Sequence, residues 1–156
     1  MLKVGEKAPD FILKDRDGKI VSLKDFKNQW VIVYFYPKAD TPGCTTEACD
    51  FTASIETFTD KEAVVIGISN DSEAKIGKFI DKHDLKIILL SDPKHEIIEK
   101  YGAWTKKSMY GKEYMGTQRS TFLINPEGMI EKIWDKVSVK GHVEEVKNLL
   151  INLKLN

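Results

Sequence analysis

Residues 30–36, WVIVYFY, form the longest uninterrupted apolar run of the chain. A short run of β-branched and aromatic residues is typical of a strand covered on both faces, as in a parallel sheet. Residues 63–69, AVVIGIS, have the same character. Between them, apolar residues recur at helical spacing, which predicts a helix with one buried face. The residues on this face are Cys44, Ala48, Phe51, Ile55 and Phe58. Strand, helix and strand in this order predict a βαβ unit with a right-handed crossover.

Further elements extend this unit in both directions. Asp17-Gly18 predicts an N-terminal β-hairpin, and Asn125 to Gly128 predicts a turn between two late strands. The pattern also predicts strands at 87–90, 121–124 and 129–134, and helices at 71–83, 92–101 and 143–153. We therefore expect an α/β fold with a central sheet of about five strands, flanked by helices, plus the hairpin. No repeat or linker interrupts the sequence, so residues 1–156 are predicted to form a single domain.

The composition excludes several classes of protein. Lys and Arg number 24, as do Asp and Glu, so the formal net charge is zero. This balance provides no basic field for nucleic acid or an anionic membrane, and neither partner is expected. The longest apolar run is far shorter than the ~18 residues of a membrane helix. The N-terminal MLKVGEKAPDF contains no apolar signal-peptide core. We therefore expect a cytoplasmic protein.

The two cysteines of the chain are Cys44 and Cys49. Thr41-Pro42 is a typical helix start, with Thr at the N-cap and Pro in the first turn. Cys44 then lies in that turn, directly beyond a central strand, where ligands bind in open α/β sheets. Unpaired N–H groups and the helix dipole favour a thiolate there, which is the nucleophilic form. The alternative is that Cys44 is only a small core residue, since it lies on the apolar face.

Cys49 is five residues beyond Cys44. In a helix this separation places the two Cα atoms ~8–9 Å apart, whereas a disulfide needs roughly 4.4–6.8 Å. Either the two cysteines never pair, or the helix unwinds when they do. The spacing is not Cys-x-x-Cys, so the redox motif of thioredoxin is absent. His83, His95 and His142 lack zinc-ligand spacing, so we expect no metal and place these histidines at the surface or at helix ends.

Several motifs together resemble one family. The pattern Pro37-x-x-x-Thr41-x-x-Cys44 is the signature of peroxiredoxins, which are cysteine peroxidases with a thioredoxin-like fold and a mixed sheet. The longer string TPGCTTEAC is similar to the peroxiredoxin Q, or bacterioferritin comigratory protein, subfamily. The N-terminal GEKAPDF and the segment from Arg119 to Gly128, RSTFLINPEG, also resemble that subfamily.

The resemblance implies a role for each matching residue. Cys44 matches the peroxidatic cysteine, which becomes a sulfenic acid, and Cys49 matches the resolving cysteine of an intramolecular disulfide. Arg119 matches the arginine that stabilises the thiolate and binds the peroxide oxygens. Thr41 matches a substrate-binding hydroxyl, Pro37 matches a residue that shields the sulfur from water, and the backbone of Gly43 supplies donors and lets the substrate approach closely. Glu47 matches a subfamily position, but a catalytic role is not separated from a favourable charge in the first turn.

The implied function is reduction of hydrogen peroxide and organic hydroperoxides, with thioredoxin or a similar thiol as reductant and no bound cofactor. The resemblance also implies a monomer. Alternatives are a one-cysteine peroxidase with Cys49 idle, a disulfide reductase, and a redox-sensing or chaperone-like switch. Trp104 and Tyr110 are expected to be packing residues near a variable loop.

Overall fold

The structure is a computed structural model and describes residues 1–155. Its strands are β1 (Ile12–Lys14), β2 (Ile20–Ser22), β3 (Trp30–Phe35), β4 (Ala63–Ser69), β5 (Ile88–Ser91), β6 (Trp104–Met109), β7 (Lys112–Thr117), β8 (Ser120–Ile124) and β9 (Ile130–Trp134). Its α-helices are α1 (Pro42–Ala53), α2 (Ile55–Asp60), α3 (Glu73–His83), α4 (Glu96–Lys100) and α5 (His142–Leu155). None of the helices in the described part of the chain is long and apolar enough to cross a lipid bilayer.

Seven strands form one mixed sheet in the order β2-β1-β5-β4-β3-β8-β9. Strands β3 and β4 are parallel, with Trp30 opposite Ala63 and Phe35 opposite Ile68. Strand β8 pairs with the other edge of β3 in the antiparallel direction. The predicted mixed sheet of five core strands is confirmed. The predicted hairpin is also found, and it extends the same sheet because Lys14 of β1 pairs with Ser91 of β5.

The sheet has a hydrophobic core on each face, and β3 contributes to both. Ile32 and Tyr34 point towards α1, α3 and α5, whereas Val31, Val33 and Phe35 point towards α4 and the N-terminal segment. All of these β3 residues are at most 2% exposed. Burial on both faces explains why the run contains no polar residue, and it confirms the interpretation of residues 30–36.

The predicted helix of residues 44–58 is interrupted at Ser54. The Ser54 N–H donates to the Phe51 carbonyl at 3.1 Å, a bond three residues back rather than the four of an α-helix. The chain therefore forms two helices, α1 and α2. The tightened turn preserves the apolar face, since both Phe51 and Phe58 are fully buried.

Strands β6 and β7 form a separate two-stranded sheet that the sequence did not predict. Its two-residue turn, Tyr110-Gly111, has positive φ at both positions, 53° and 78°. Asn-Gly is the typical sequence of such a turn. With tyrosine in the first position, the sequence does not predict a hairpin. The expectation for Tyr110 was wrong, because its side chain is 98% exposed at the tip. Trp104 does pack, stacking on His95 with ring centroids 4.0 Å apart.

Gly67 tests how tightly the sheet is packed. It lies in β4 between Tyr34 and Leu89, and a Cβ at this position would lie 2.6–2.8 Å from both side chains. We predict that Gly67→Ala lowers the free energy of unfolding by about 1–3 kcal/mol, as overpacking does. Urea denaturation measures this change.

Gly77→Ala is the matched control. Gly77 lies in α3, and its added Cβ would be 3.4 Å from the flexible Arg16 guanidinium, an ordinary contact. Alanine is favoured over glycine in a helix by about 1 kcal/mol, so this variant should be as stable as the wild type or more so. Equal losses in both variants would contradict the packing described for Gly67.

Candidate active site

The candidate site lies where β3 ends and α1 begins, beyond the carboxyl end of a central strand. Pro42 is the first residue of α1, so Cys44 lies in its first turn. The first helical hydrogen bond runs from the Thr45 N–H to the Thr41 carbonyl at 2.8 Å. The N–H groups of Gly43 and Cys44 therefore have no acceptor within the helix and add to the positive end of its dipole. Cys44 is 1% exposed.

Thr41 occupies the N-cap position with extended backbone, as predicted, but its side chain does not cap the helix. Its hydroxyl instead donates to the Lys38 carbonyl at 2.8 Å. Thr41 is therefore the N-cap residue by position, and its hydroxyl fixes the loop that precedes the helix. The same loop carries Pro37, which is half-buried.

Two carboxylates hold this loop in place, and neither was predicted from the sequence. The buried Asp71 accepts hydrogen bonds from the Ala39 N–H at 2.8 Å and from the Ser69 hydroxyl at 2.9 Å. Asp40 contacts Lys82 and His83 at the end of α3, each at 2.9 Å. The sequence does contain one indication of Asp71: it is a carboxylate two residues beyond the end of β4, at the sheet edge where the loop between β3 and α1 also lies.

Arg119 precedes β8 and reaches the site because β8 pairs with β3, with Ser120 opposite Phe35. Its Nη2 donates to Cys44 Sγ at 3.4 Å, and its Nη1 donates to Glu47 Oε1 at 2.6 Å. The guanidinium thus bridges two groups that lie three residues apart on α1. Burial lowers the pKa of Arg119, but Glu47 and Cys44 outweigh burial, and the net pKa is raised. The arginine is a permanent cation beside the sulfur.

Glu47 is fully buried, and its second oxygen, Oε2, has no hydrogen-bond partner among the described residues. Burial raises the pKa of Glu47 from 4.5 to about 7, although Arg119 opposes this rise. A carboxylate buried in this way is costly to ionise unless it is paired. The geometry shows that Glu47 belongs to the cluster of Cys44 and Arg119 rather than to a solvated first turn.

Gly43 leaves room for the arginine. A Cβ at position 43 would lie 3.1 Å from Arg119 Nη2, closer than nearly all ordinary contacts. Any side chain there would press on the guanidinium that contacts Cys44. This steric constraint is an additional reason for glycine beside the cysteine.

Cys49 lies farther along α1, which is helical from residue 42 to residue 53. It is half-buried, and both cysteines are free thiols. Burial and then Asp50 raise the pKa of Cys49, so it is held as a protonated thiol. The intact helix is consistent with the separation expected from the spacing.

All three histidines lie at helix ends, as expected: His83 ends α3, His95 precedes α4, and His142 begins α5. His142 is nevertheless buried, with its Nε2 2.8 Å from the Thr121 hydroxyl. Burial lowers its pKa to about 4, so the ring is neutral at pH 7. Residues 1–155 contain no group of three or more His, Cys, Asp or Glu side chains arranged to hold a metal ion.

Comparison with known proteins identifies the family of this site. Residues 4–133 match the family model described as AhpC/TSA. The chain belongs to the AhpC/TSA family. It is 51% identical to peroxiredoxin Bcp of Bacillus subtilis over 149 residues, which cover 96% of this chain and 95% of the relative. It is 44% identical to peroxiredoxin Bcp of Escherichia coli K12, with 96% of each chain covered.

Solved structures of this family have the same fold. The bacterioferritin comigratory protein of Xanthomonas campestris, studied for its alkyl peroxide reduction activity, matches with a TM-score of 0.90 and 34% identity. The match covers 96% of this chain and 98% of that one. A cysteine-to-serine variant of Xylella fastidiosa PrxQ matches with a TM-score of 0.94 and 33% identity, covering 99% and 98%. The predicted family and the thioredoxin-like fold are confirmed.

The raised pKa of Glu47 predicts how stability depends on pH. Between about pH 4.5 and 7 the folded protein keeps the Glu47 proton while the unfolded chain loses it. The free energy of unfolding of the wild type therefore falls as the pH rises through this range, and the stabilisation from Glu47 is lost above about pH 7. Glu47→Gln cannot ionise. We therefore predict that Glu47→Gln gains stability relative to the wild type as the pH rises. The difference between their free energies of unfolding, variant minus wild type, should increase by about 2 kcal/mol from pH 5 to pH 7.5.

Chemical denaturation at a series of pH values measures this difference. Glu56→Gln in α2 is the control, since Glu56 is exposed. Its stability curve should run parallel to that of the wild type. A parallel curve for Glu47→Gln would show that burial does not retain the proton on Glu47.

Proposed function

We propose that this protein is a thiol-dependent peroxidase in which Cys44 is the nucleophile. The observation that carries the proposal is the 3.4 Å contact between Arg119 Nη2 and Cys44 Sγ in the first turn of α1. A fixed guanidinium and the helix N-terminus both favour a thiolate. Cys44 is 1% exposed, so the sulfur suits an oxidant that presents a slender terminal O–O group, as a hydroperoxide does.

In the first step, the Cys44 thiolate attacks one oxygen of the hydroperoxide. The S–O bond forms as the O–O bond breaks, and the other oxygen leaves with the electron pair and takes up a proton as an alcohol or water. Cys44 becomes a sulfenic acid. Negative charge moves from the sulfur to the leaving oxygen, and Arg119 lies where it can stabilise both sites.

We assign the surrounding groups to substrate binding. The Thr41 proton is engaged by the Lys38 carbonyl, so the hydroxyl oxygen is left as an acceptor for the O–H of the hydroperoxide. The backbone N–H groups of Gly43 and Cys44 supply donors. Pro37, half-buried on the same loop, is proposed to shield the sulfur from bulk water.

Glu47 is proposed as a positioning residue that acts through Arg119. Its 2.6 Å bond to Nη1 fixes one half of the guanidinium and thereby directs Nη2 at the sulfur. Without this bond, the side chain of Arg119 could rotate away from Cys44. Because Glu47 is fully buried, its bond to arginine is protected from competing water.

Cys49 is proposed as the resolving cysteine. Its thiol would attack the Cys44 sulfenic acid, forming the S–S bond as the S–O bond breaks and water leaves. The separation in an intact helix is too large for this bond, so the first turns of α1 must unwind. Unwinding would also expose Cys49 to water and remove the burial that raises its pKa. The same motion would thus bring the thiol closer and increase its reactivity.

A dithiol reductant of the thioredoxin type would then restore both thiols by disulfide exchange. We propose that residues 1–156 act as a single domain and as a monomer, with no bound cofactor, nucleic acid or membrane. The balanced charge supports the last two exclusions. The need for a thiol reductant supports a reducing compartment such as the cytoplasm.

Cysteine substitutions test the proposed function. We predict that Cys44→Ser lowers the rate of peroxide consumption by at least 10³-fold, since the hydroxyl is not a nucleophile towards O–O bonds at neutral pH. Cys49→Ser should keep one fast turnover and then stall with thioredoxin as the reductant. Stopped-flow measurement of peroxide loss distinguishes the two.

Each outcome excludes a different alternative. Wild-type turnover in Cys44→Ser would refute the peroxidase assignment. Sustained wild-type turnover in Cys49→Ser would indicate a one-cysteine peroxidase in which Cys49 is idle. Circular dichroism of both variants controls for loss of fold.

The proposed unwinding predicts a change in amide exchange. We expect lower protection of residues 44–50 in the oxidised form than in the reduced form, because the disulfide cannot form in the helix. Thr45 and Thr46 are weak helix formers and reduce the cost of opening. Residues 73–83 of α3 are the internal control and should keep equal protection. Equal protection of residues 44–50 in both forms would contradict the proposal.

A further inference from the structure

Lys107 is a cation near the site that neither the proposed chemistry nor the ion pairs of the fold use. It lies in β6, opposite Tyr114 of β7. The neighbouring Lys106 pairs with Glu113 at 3.2 Å. In residues 1–155, no carboxylate lies within 4.0 Å of the Lys107 ammonium, which distinguishes it from Lys106. Lys107 is also half-buried, whereas Lys106 is exposed.

Gly116 leaves room for the Lys107 side chain. If position 116 carried a Cβ, that atom would lie 3.2 Å from Lys107 Cδ and 3.6 Å from Cε. The lysine stem therefore lies across the backbone of Gly116. Gly116 pairs with Thr105, which lies two residues before Lys107. It is therefore closer than Lys107 to the base of the hairpin, the end at which Trp104 pairs with Thr117. The stem thus runs from Lys107 towards the base, with its ammonium at the far end.

The base of this hairpin adjoins the candidate site. Strand β7 ends at Thr117, the Gln118 N–H donates to the Ala103 carbonyl at 2.6 Å, and Arg119 follows directly. The ammonium of Lys107 is therefore directed towards the arginine that contacts Cys44. Consistently, burial and then Arg119 lower the pKa of Lys107, while Cys44 opposes them, as expected for a cation within electrostatic range of both groups.

We propose that Lys107 is a specificity residue that binds the anionic group of hydroperoxides that carry a carboxylate near the peroxide. The proposal rests on the peroxidase function proposed above. Arg119 donates to Glu47 and to Cys44, and its charge acts on the reacting oxygens. Lys107 supplies a second, unpaired positive charge at a distance from the sulfur, where the remainder of a substrate would lie. An anion placed there would relieve the repulsion between Lys107 and Arg119.

Two substrates with the same peroxide group test this proposal: cumene hydroperoxide, which is neutral, and its para-carboxylate derivative. We predict that Lys107→Gln lowers the second-order rate constant of Cys44 oxidation by the carboxylate about 5- to 10-fold. The rate constant for the neutral substrate should change by less than about 2-fold. Raising the ionic strength should weaken the wild-type preference, since salt screens the charges.

Lys106→Gln is the matched control, because it removes the same charge from the adjacent residue. It should change neither rate constant by more than about 2-fold. If Lys107→Gln slows both substrates equally or neither, Lys107 does not select anions and the proposal is overturned. Failure of the peroxidase function is distinguishable, because the wild type would then be oxidised by neither substrate.

Discussion

The candidate site depends on one interaction, in which the Arg119 guanidinium bridges Cys44 and Glu47. The two residues lie three positions apart on α1, so they face the same direction. One donor of the planar guanidinium contacts the sulfur and another contacts the carboxylate. Fixing one half of the fork fixes the other, which is why arginine suits this position better than a flexible lysine. The absence of a side chain at Gly43 leaves room for this arrangement.

The bridge requires three separate parts of the fold to be in register. Strand β3 leads into α1, β8 brings Arg119 alongside, and the loop between β3 and α1 must be held. Asp71 holds that loop from the end of β4, and Asp40 holds it from the end of α3. The site is thus supported by ordered carboxylates, while the helix that carries both cysteines contains weak helix formers. This combination is what the proposed unwinding of α1 after oxidation requires, because the loop before the helix stays held while the helix opens.

Much of the fold could be predicted because its strands are buried on both faces. Residues 30–36 and 63–68 contain no charged residue and are rich in β-branched and aromatic side chains, a pattern typical of central strands. The hairpin of β6 and β7 could not be predicted in the same way. Its strands are polar and mostly exposed, so they carry no burial pattern, and Tyr110-Gly111 replaces the usual turn residues. The break at Ser54 was missed because the tightened turn leaves the apolar face intact.

For the site, the local sequence is enough to place Cys44 in the first turn of a helix beyond a central strand. It also shows that a disulfide with Cys49 would need that helix to open, and it carries the resemblance to peroxiredoxins. These conclusions depend on local geometry, which nearby residues determine. Three further features follow from the tertiary structure: Glu47 is buried against Arg119, the Thr41 hydroxyl donates to the Lys38 carbonyl, and the Lys107 side chain lies over Gly116. The contact between Glu47 and Arg119 joins segments that are distant in sequence, and the contact between Lys107 and Gly116 depends on the register of two strands. The bond from Thr41 depends on the rotamer of its side chain. None of these leaves a periodic signal in the chain.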